Sequence, residues 1–307
     1  MRNRARALGA GRLGMAALSL LVLMARATPS MGQASIDWSK VGLALGKSGS
    51  MQPGDVYKVS LPRSDLQVTA GGVPAKPALA LGSWVAFKPA GSSGEAMAMG
   101  DLVLLEGEVG PVVRELQEQD IEQTAIHNHL LHESPRVMYV HIRGQGDPVK
   151  LATAIHSALT RSKTPFGESA KKPASIPLDT AAVSQALGAS GKVNGGVYQV
   201  SVPRREKVTE AGMEVPPAMG VATALNFQPT GGKRAAISGD FVLIGSEVNP
   251  VIKSLRQSGI EVTALHSHML GESPRLFFMH FWANDDAVKL ARGLRAALDK
   301  MNVKRAS

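Results

Sequence analysis

Gly54-Asp-Val-Tyr-Lys-Val-Ser-Leu-Pro-Arg63 returns later in the chain as Gly195-Gly-Val-Tyr-Gln-Val-Ser-Val-Pro-Arg204. Two more segments recur in the same order. Gly100-Asp-Leu-Val-Leu-Leu-Glu-Gly-Glu-Val-Gly-Pro111 returns as Gly239-Asp-Phe-Val-Leu-Ile-Gly-Ser-Glu-Val-Asn-Pro250, and His127-Asn-His-Leu-Leu-His-Glu-Ser-Pro-Arg136 returns as His266-Ser-His-Met-Leu-Gly-Glu-Ser-Pro-Arg275. The copies lie 141 residues apart for the first pair and 139 for the other two. The chain is therefore one unit of about 130 residues used twice.

This repeat predicts the domain organisation. We assign residues 1–34 to a signal peptide, 35–162 to the first repeat unit, 163–177 to a linker and 178–307 to the second repeat unit. The assigned linker is rich in Lys, Ser and Pro, a composition typical of segments between folded units.

The pattern inside each unit predicts the fold class. Residues 56–61, 84–87 and 101–105 are apolar or alternating runs between Pro and Gly signals, which favours short antiparallel strands. Pro111 lies at a position typical of a helix start, and an amphipathic helix begins at Asp147. We expect an α+β fold of two tandem, pseudo-equivalent units, each a mostly antiparallel sheet with packed helices.

Composition excludes several classes of protein. The 307 residues contain no Cys, which removes disulfides, zinc ribbons, iron–sulfur clusters, thiol nucleophiles and a lipidated N-terminal Cys. The net charge is +9, but five arginines lie in the first 34 residues, which hold no acid; the remaining 29 basic and 25 acidic residues give +4. With only 4% aromatic residues and dispersed charge, the chain lacks the features of a nucleic-acid platform.

The N-terminus has the three parts of a secretory signal peptide. Four arginines lie in residues 1–12, residues 13–24 are apolar, and a small, polar stretch ends at Ala34. We expect cleavage near Ser35 and a periplasmic or secreted bacterial protein, with no transmembrane segment in the mature chain. The alternative is an uncleaved membrane anchor. Arg26 interrupts the apolar run, which argues against that alternative.

Seven of the eight histidines lie in the two copies of one segment. We expect a hairpin centred on Ser134, in which His127 and His129 share a strand face and His141 lies opposite His127. The second copy, centred on Ser273, repeats this arrangement with His266, His268 and His280. The pattern predicts one three-histidine metal site in each repeat, walled by residues 137 and 139 or 276 and 278.

Three imidazoles suit a transition metal, with Zn or Cu favoured, and leave a coordination position open for a small ligand or an anion. Glu133 and Glu272 are candidates for orienting a histidine or supplying a fourth oxygen ligand. Arg136 and Arg275 are candidates for holding an anion.

Three hypotheses about function follow. The first is a module that binds a transition metal or a metal-bound small ligand. The second is a zinc-type hydrolase or hydratase that uses the open three-histidine site, with Glu133 or Glu272 assisting. The third is a cell-envelope interaction protein whose histidines form a purely structural polar network. Glu108 and Glu247 also recur, and helix capping explains them better than catalysis.

The two copies of His-x-His-x-Leu-x-Glu-Ser-Pro-Arg, and above all residues 266–286, resemble the LppY/LpqO family of exported bacterial proteins. The resemblance covers nearly the whole mature chain. It implies export and a bacterial source, and it assigns no reaction. Some members are lipoproteins, whereas this chain lacks the Cys that lipid anchoring requires.

Overall fold

A computed structural model describes residues 35–91, 93–167 and 175–304 of the chain. The described residues of both repeats belong to one compact unit. The predicted signal peptide, residues 1–34, lies outside the described residues, as does the middle of the predicted linker, residues 168–174. None of the helices in the described ranges is long and apolar enough to cross a membrane.

The first repeat alternates short and long strands with four helices in its described part. Its strands are β1 Ser50–Gln52, β2 Val56–Pro62, β3 Val68–Ala70, β4 Val73–Ala75, β5 Gly82–Pro89, β6 Ala96–Leu105, β7 Glu122–His127, β8 Glu133–Ser134 and β9 Val137–Gly146. Its helices are α1 Trp38–Leu45, α2 Pro77–Ala80, α3 Glu106–Glu118 and α4 Pro148–Leu159.

The second repeat has the same order of elements, with a 3-10 turn in place of α2. Its strands are β10 Lys192–Asn194, β11 Val197–Pro203, β12 Thr209–Glu210, β13 Met213–Glu214, β14 Ala222–Gly231, β15 Arg234–Ile244, β16 Glu261–His266, β17 Glu272–Ser273 and β18 Leu276–Asp286. Its helices are α5 Thr180–Leu187, the 3-10 turn Pro217–Met219, α6 Gly245–Gln257 and α7 Ala287–Leu298.

Each repeat builds one large antiparallel sheet. Within the described residues, six strands of the first repeat pair in the order β1-β2-β5-β6-β9-β7, and six of the second in the order β10-β11-β14-β15-β18-β16. The short strands form two smaller sheets, β4-β3-β8 and β13-β12-β17. The predicted α+β class and the internal repeat are both confirmed.

The two faces of each large sheet pack against different partners. One face packs on the helices of its own repeat, with Leu102 and Val140 against Leu116 and Ile155 in the first copy. The opposite face packs against the other repeat, because Val56 and Met97 share one apolar cluster with residues such as Phe278. The arrangement is therefore helices, sheet, sheet, helices, with the two sheets in the middle.

Helix α3 begins earlier than the proline signal predicted. Glu108 accepts a hydrogen bond from the backbone N–H of Leu105 at 2.9 Å, and this capping interaction starts the helix at Glu106. Pro111 consequently lies inside the helix and not in its first turn. Glu247 caps α6 in the same way through the N–H of Ile244, which supports the capping explanation for both glutamates.

A buried ion pair ties each capping glutamate to the end of a motif strand. The Arg204 guanidinium, which is 3% exposed, donates to Glu247 at 2.6 Å and to the carbonyl of Val242 at 2.8 Å. Arg63 makes the equivalent bonds to Glu108 at 2.7 Å and to Val103 at 2.8 Å. The arginine that ends the first motif therefore recurs because it pairs with the capping glutamate in each repeat.

Replacing Arg204 with Met should lower the free energy of unfolding by about 3 kcal/mol or more, because it leaves the Glu247 carboxylate buried without its cation. Lys207→Met is the matched control, since it removes the exposed Lys207–Glu214 pair and should lower the free energy by less than about 1 kcal/mol. Urea unfolding of both variants measures the difference. Equal, small losses would contradict a structural role for Arg204.

Candidate metal centre

Cross-strand pairs place an aspartate next to a histidine in each of the two large sheets. Register places Trp84 beside Asp101, and Asp101 beside His141. In the second sheet, Ala224 pairs with Asp240, and Asp240 with His280. Directly paired residues on antiparallel strands project to the same face, so each repeat places a carboxylate and an imidazole together.

The hairpin register predicted from sequence is wrong by two residues. His127 pairs with Tyr139, and His141 pairs with Ala125. The offset arises at the Glu-Ser-Pro segment, which does not form a tight turn because β8 pairs with β3. A bulge between Gln123 and Ala125 shifts the ladder again farther along the strands. A shift of two residues keeps every side chain on its face, so His127 and His141 still share one side of the sheet. Their ring centroids lie 5.0 Å apart.

His129 and His268 do not lie on strands, contrary to the prediction. Strand β7 ends at His127 and β16 ends at His266. The chain then turns toward the other repeat, where Thr263 donates to the carbonyl of His129, and Thr124 donates to that of His268, each at 2.6 Å. These reciprocal bonds fix both loops at the interface.

The six predicted ligands form one cluster and not two separate sites. Because the two sheets face each other, each histidine of one repeat contacts a histidine of the other. The ring centroids lie 3.6 Å apart for His127 and His266, 3.5 Å for His129 and His280, and 3.6 Å for His141 and His268. We call this set the His cluster; its members are His127, His129, His141, His266, His268 and His280.

Two aromatic rings wall the His cluster, as the sequence predicted. Tyr139 stacks on His129 with ring centroids 3.3 Å apart, and Phe278 stacks on His268 at 3.6 Å. The Tyr139 hydroxyl donates to the carbonyl of Ala80, so its polar end is satisfied away from the imidazoles. Apolar walls keep water from the rings and strengthen electrostatic interactions among them.

Several ring nitrogens in the His cluster are buried without a hydrogen-bond partner among the described residues. They include Nε2 of His141, His268 and His280. In His280 the Nδ1–H donates to the carbonyl of Gly239 at 2.9 Å, which leaves the lone pair on Nε2. Nitrogens of this kind are available as metal ligands.

Burial keeps the imidazoles neutral. Desolvation lowers the pKa of His127 to about 3 and that of His266 to about 4, and it lowers the pKa of the other four rings well below the ordinary value. Burial has the opposite effect on the carboxyl groups: it raises the pKa of Asp101 to about 7 and that of Asp240 well above its usual range. Neutral imidazole is the form that binds metals.

The ligand atoms are close enough to share an ion. One ligand atom from each of five histidines of the cluster, all except His141, lies within 4.8 Å of the other four, and Asp101, His129 and His141 form a second such group. Asp240 lies 3.9 Å from Nε2 of both His268 and His280. These groups could hold a metal ion through imidazole nitrogens and carboxylate oxygens.

The Glu-Ser-Pro-Arg residues have other contacts. Glu133 accepts from the backbone N–H of Val137 at 3.0 Å, and Glu272 accepts from that of Leu276 at 2.9 Å. Arg275 pairs with Glu272, whereas Arg136 is exposed. None of the four belongs to the groups of potential ligand atoms found among the described residues.

A cavity of about 830 Å³ opens beside the His cluster, between the two repeats. Its lining includes Asp101, Asp240 and four histidines of the cluster, His129, His141, His268 and His280. Lys58 and Trp84 line the same cavity, with the ammonium 4.0 Å from the ring centroid. Desolvation lowers the pKa of Lys58 to about 8. A small molecule in the cavity would therefore reach an ion held by the cluster.

Comparison with known proteins agrees with the repeat. The sequence model of the family described as "Domain of Unknown Function (DUF1259)" matches residues 39–161 and again residues 181–300. The chain belongs to this family. Both matches to DUF1259 fall within the assigned repeat units, and the description states no activity. No curated protein matches the chain.

Among solved structures, the chain is similar to the trimeric bacterial microcompartment shell protein PduB at 12% identity, over 84% of this chain and 96% of that one. The TM-score is 0.23, too low to inform the fold or function of this DUF1259 protein.

Asp101 and Asp240 were missed by sequence reasoning, although a signal was present. Each follows a Gly inside a mostly apolar strand, and each recurs in the copied motif. An acid retained inside a buried strand is unfavourable unless it has a partner or a function. Lys58 gave no such signal, because its equivalent in the second repeat is Gln199.

The metal-free protein should lose stability as pH falls from about 6.5 to 4. Unfolded imidazoles take up protons in that window, whereas His127 and His266 stay neutral in the folded state until pH reaches their lowered pKa values of about 3 and 4. The raised pKa of Asp101 acts in the opposite direction, because the folded state keeps that proton longer. His127→Asn with His266→Asn should therefore reduce the pH dependence by up to about 1.4 kcal/mol per pH unit for each ring.

Urea unfolding with a chelator, repeated across this pH range, measures the effect. His132→Asn is the control, because His132 is exposed and lies outside the His cluster. An unchanged pH dependence in the double variant would contradict the burial of neutral rings.

Proposed function

We propose that this protein binds a transition metal ion at the His cluster and presents it to a small ligand in the adjoining cavity. The observation that carries the proposal is the convergence of six imidazoles from both repeats, several with buried, unpartnered Nε2 atoms among the described residues. A buried nitrogen without a hydrogen bond destabilises the fold by about 1–3 kcal/mol, and coordination to a metal removes that penalty. Zn or Cu suits a set of imidazole ligands best.

The competing hypothesis is a structural network that seals the interface between repeats. Such a network is stable when each member has a hydrogen-bond partner. The hydroxyls of Thr124 and Thr263 have such partners in the loop carbonyls of the other repeat. The Nε2 atoms of His141, His268 and His280 have none among the described residues. Metal binding accounts for those nitrogens, and a polar seal does not.

A ligand-binding module also fits better than a zinc-type hydrolase or hydratase of the kind predicted from sequence. That hypothesis needed Glu133 or Glu272 beside the metal, and both carboxylates bind backbone amides of the following strand. The carboxylates nearest to the imidazoles are Asp101 and Asp240, and Asp101 shares a group of potential ligand atoms with His129 and His141.

The full chain, purified without a histidine tag, should contain at least one Zn or Cu ion by elemental mass spectrometry. His129→Phe with His268→Phe should weaken binding, because phenylalanine keeps a ring against Tyr139 and Phe278 but has no nitrogen and removes two of the five imidazoles that could share an ion. Added metal should raise the melting temperature of the wild type more than that of the double variant at the same metal concentration, since a ligand at 100 times its Kd adds about 2.7 kcal/mol.

His132→Phe is the matched control and should bind metal like the wild type. The metal proposal would be contradicted if the wild type never binds an ion and the double variant is destabilised regardless of added metal. The His cluster would then be a structural network.

We further propose that the protein is exported by a bacterium to the periplasm or the medium. The arginine-rich start, the apolar residues 13–24 and the resemblance to the LppY/LpqO family support this proposal. Mass spectrometry of the expressed protein should find an N-terminus near Ser35. Leu20→Asp with Leu21→Asp should block processing, because charges in the apolar run prevent insertion. An intact Met1 in the membrane fraction of the wild type would favour the uncleaved anchor.

A further inference from the structure

The His cluster is two-fold symmetric in its chemistry, but the cavity beside it is not. All six histidines and both aspartates have the same residue type in the other repeat. Several residues that line the cavity differ between the repeats, and two of them change its charge and shape. Lys58 corresponds to Gln199 in the aligned motif, and Trp84 corresponds by strand register to Ala224. The first repeat therefore supplies a cation and an aromatic ring that the second repeat lacks.

The ammonium charge is not required to join the repeats. Lys58 donates to the carbonyl of Ala218 at 2.8 Å, and Gln199 donates to the carbonyl of Ala78 at 2.7 Å. These two bonds occupy equivalent places, and the neutral amide makes its bond as well as the ammonium does. Compared with glutamine, a lysine at this position adds a positive charge and no further hydrogen bond between the repeats.

That charge is unfavourable unless the cavity holds something negative. Lys58 is half-buried, so its ammonium has lost part of its hydration. It also lines the same cavity as the His cluster, where it would repel a metal ion. Asp101 offsets part of the charge, but a carboxylate that ligates a divalent ion is neutralised by that ion.

We propose that the cavity binds a small organic anion, with a carboxylate or phosphate group placed between the Lys58 ammonium and the metal of the His cluster. This inference rests on the proposed metal centre. Both positive charges attract such a group, which explains a lysine beside a metal site. The volume of about 830 Å³ exceeds the need of an inorganic ion and lies in the range of small-molecule pockets. The ammonium lies over the Trp84 ring, 4.0 Å from its centroid, and this cation–π contact positions it.

The test compares wild type with Lys58→Gln, which copies the residue that already serves at the equivalent place in the second repeat. Both full-length proteins are loaded with Co(II), and their metal content is measured first. Succinate and inorganic phosphate are then titrated by calorimetry and by the Co(II) absorption spectrum. Lys253→Gln, at an exposed position on α6, is the control.

We expect Lys58→Gln to bind Co(II) at least as well as wild type and to bind the anion at least about tenfold more weakly, because a charge-assisted hydrogen bond is lost. The Lys253→Gln control should match wild type. The two probes distinguish the two kinds of ligand: a site for carboxylates should bind succinate more tightly, and a site for phosphorylated molecules should bind phosphate more tightly.

Equal anion affinity in wild type and Lys58→Gln, with Co(II) bound to both, would overturn this inference and leave the metal centre intact. Absence of binding of either probe to the loaded wild type would also overturn it. Failure of the wild type to bind Co(II) would instead overturn the proposed function, and this inference with it.

Discussion

The stacking of neutral imidazoles across the two sheets is the interaction on which the rest of the structure depends. Each ring of one repeat lies against a ring of the other at about the distance of van der Waals contact, for example 3.5 Å between the centroids of His129 and His280. Protonated rings at this distance would repel one another inside a medium of low dielectric constant. The fold therefore requires the rings to be uncharged, and the apolar walls of Tyr139 and Phe278 maintain that state.

The same packing explains why polar groups are so densely arranged at the centre of the chain. A sheet that buries both faces has no exposed side on which to place polar residues, so any retained Asp or His lies in the interior. Asp101 and His141 are buried in this way on neighbouring strands. The helices on the outer faces supply the apolar cores, which leaves the inner faces free to carry chemistry.

The repeated motifs were sufficient to predict the α+β class, the duplication and the matching strand faces of four histidines, His127, His141, His266 and His280. They were not sufficient to predict that the two sets of histidines meet. Alternation along a strand says which face a residue occupies, but it does not say which surface that face packs against. Thr124 in the bulge and the loop after His127 both make contacts with the other repeat, through the bonds from Thr124 to the carbonyl of His268 and from Thr263 to that of His129.

The reciprocal bonds from Thr124 and Thr263 have a consequence for the duplication itself. Each threonine bonds to the loop of the other copy, so each histidine loop is held in part by the opposite half. A chain with a single repeat would carry half of a centre and would complete it only by pairing with a second identical chain. Joining the halves in one polypeptide removes the dependence on protein concentration. It also frees the two halves to differ, as Lys58 and Gln199 do.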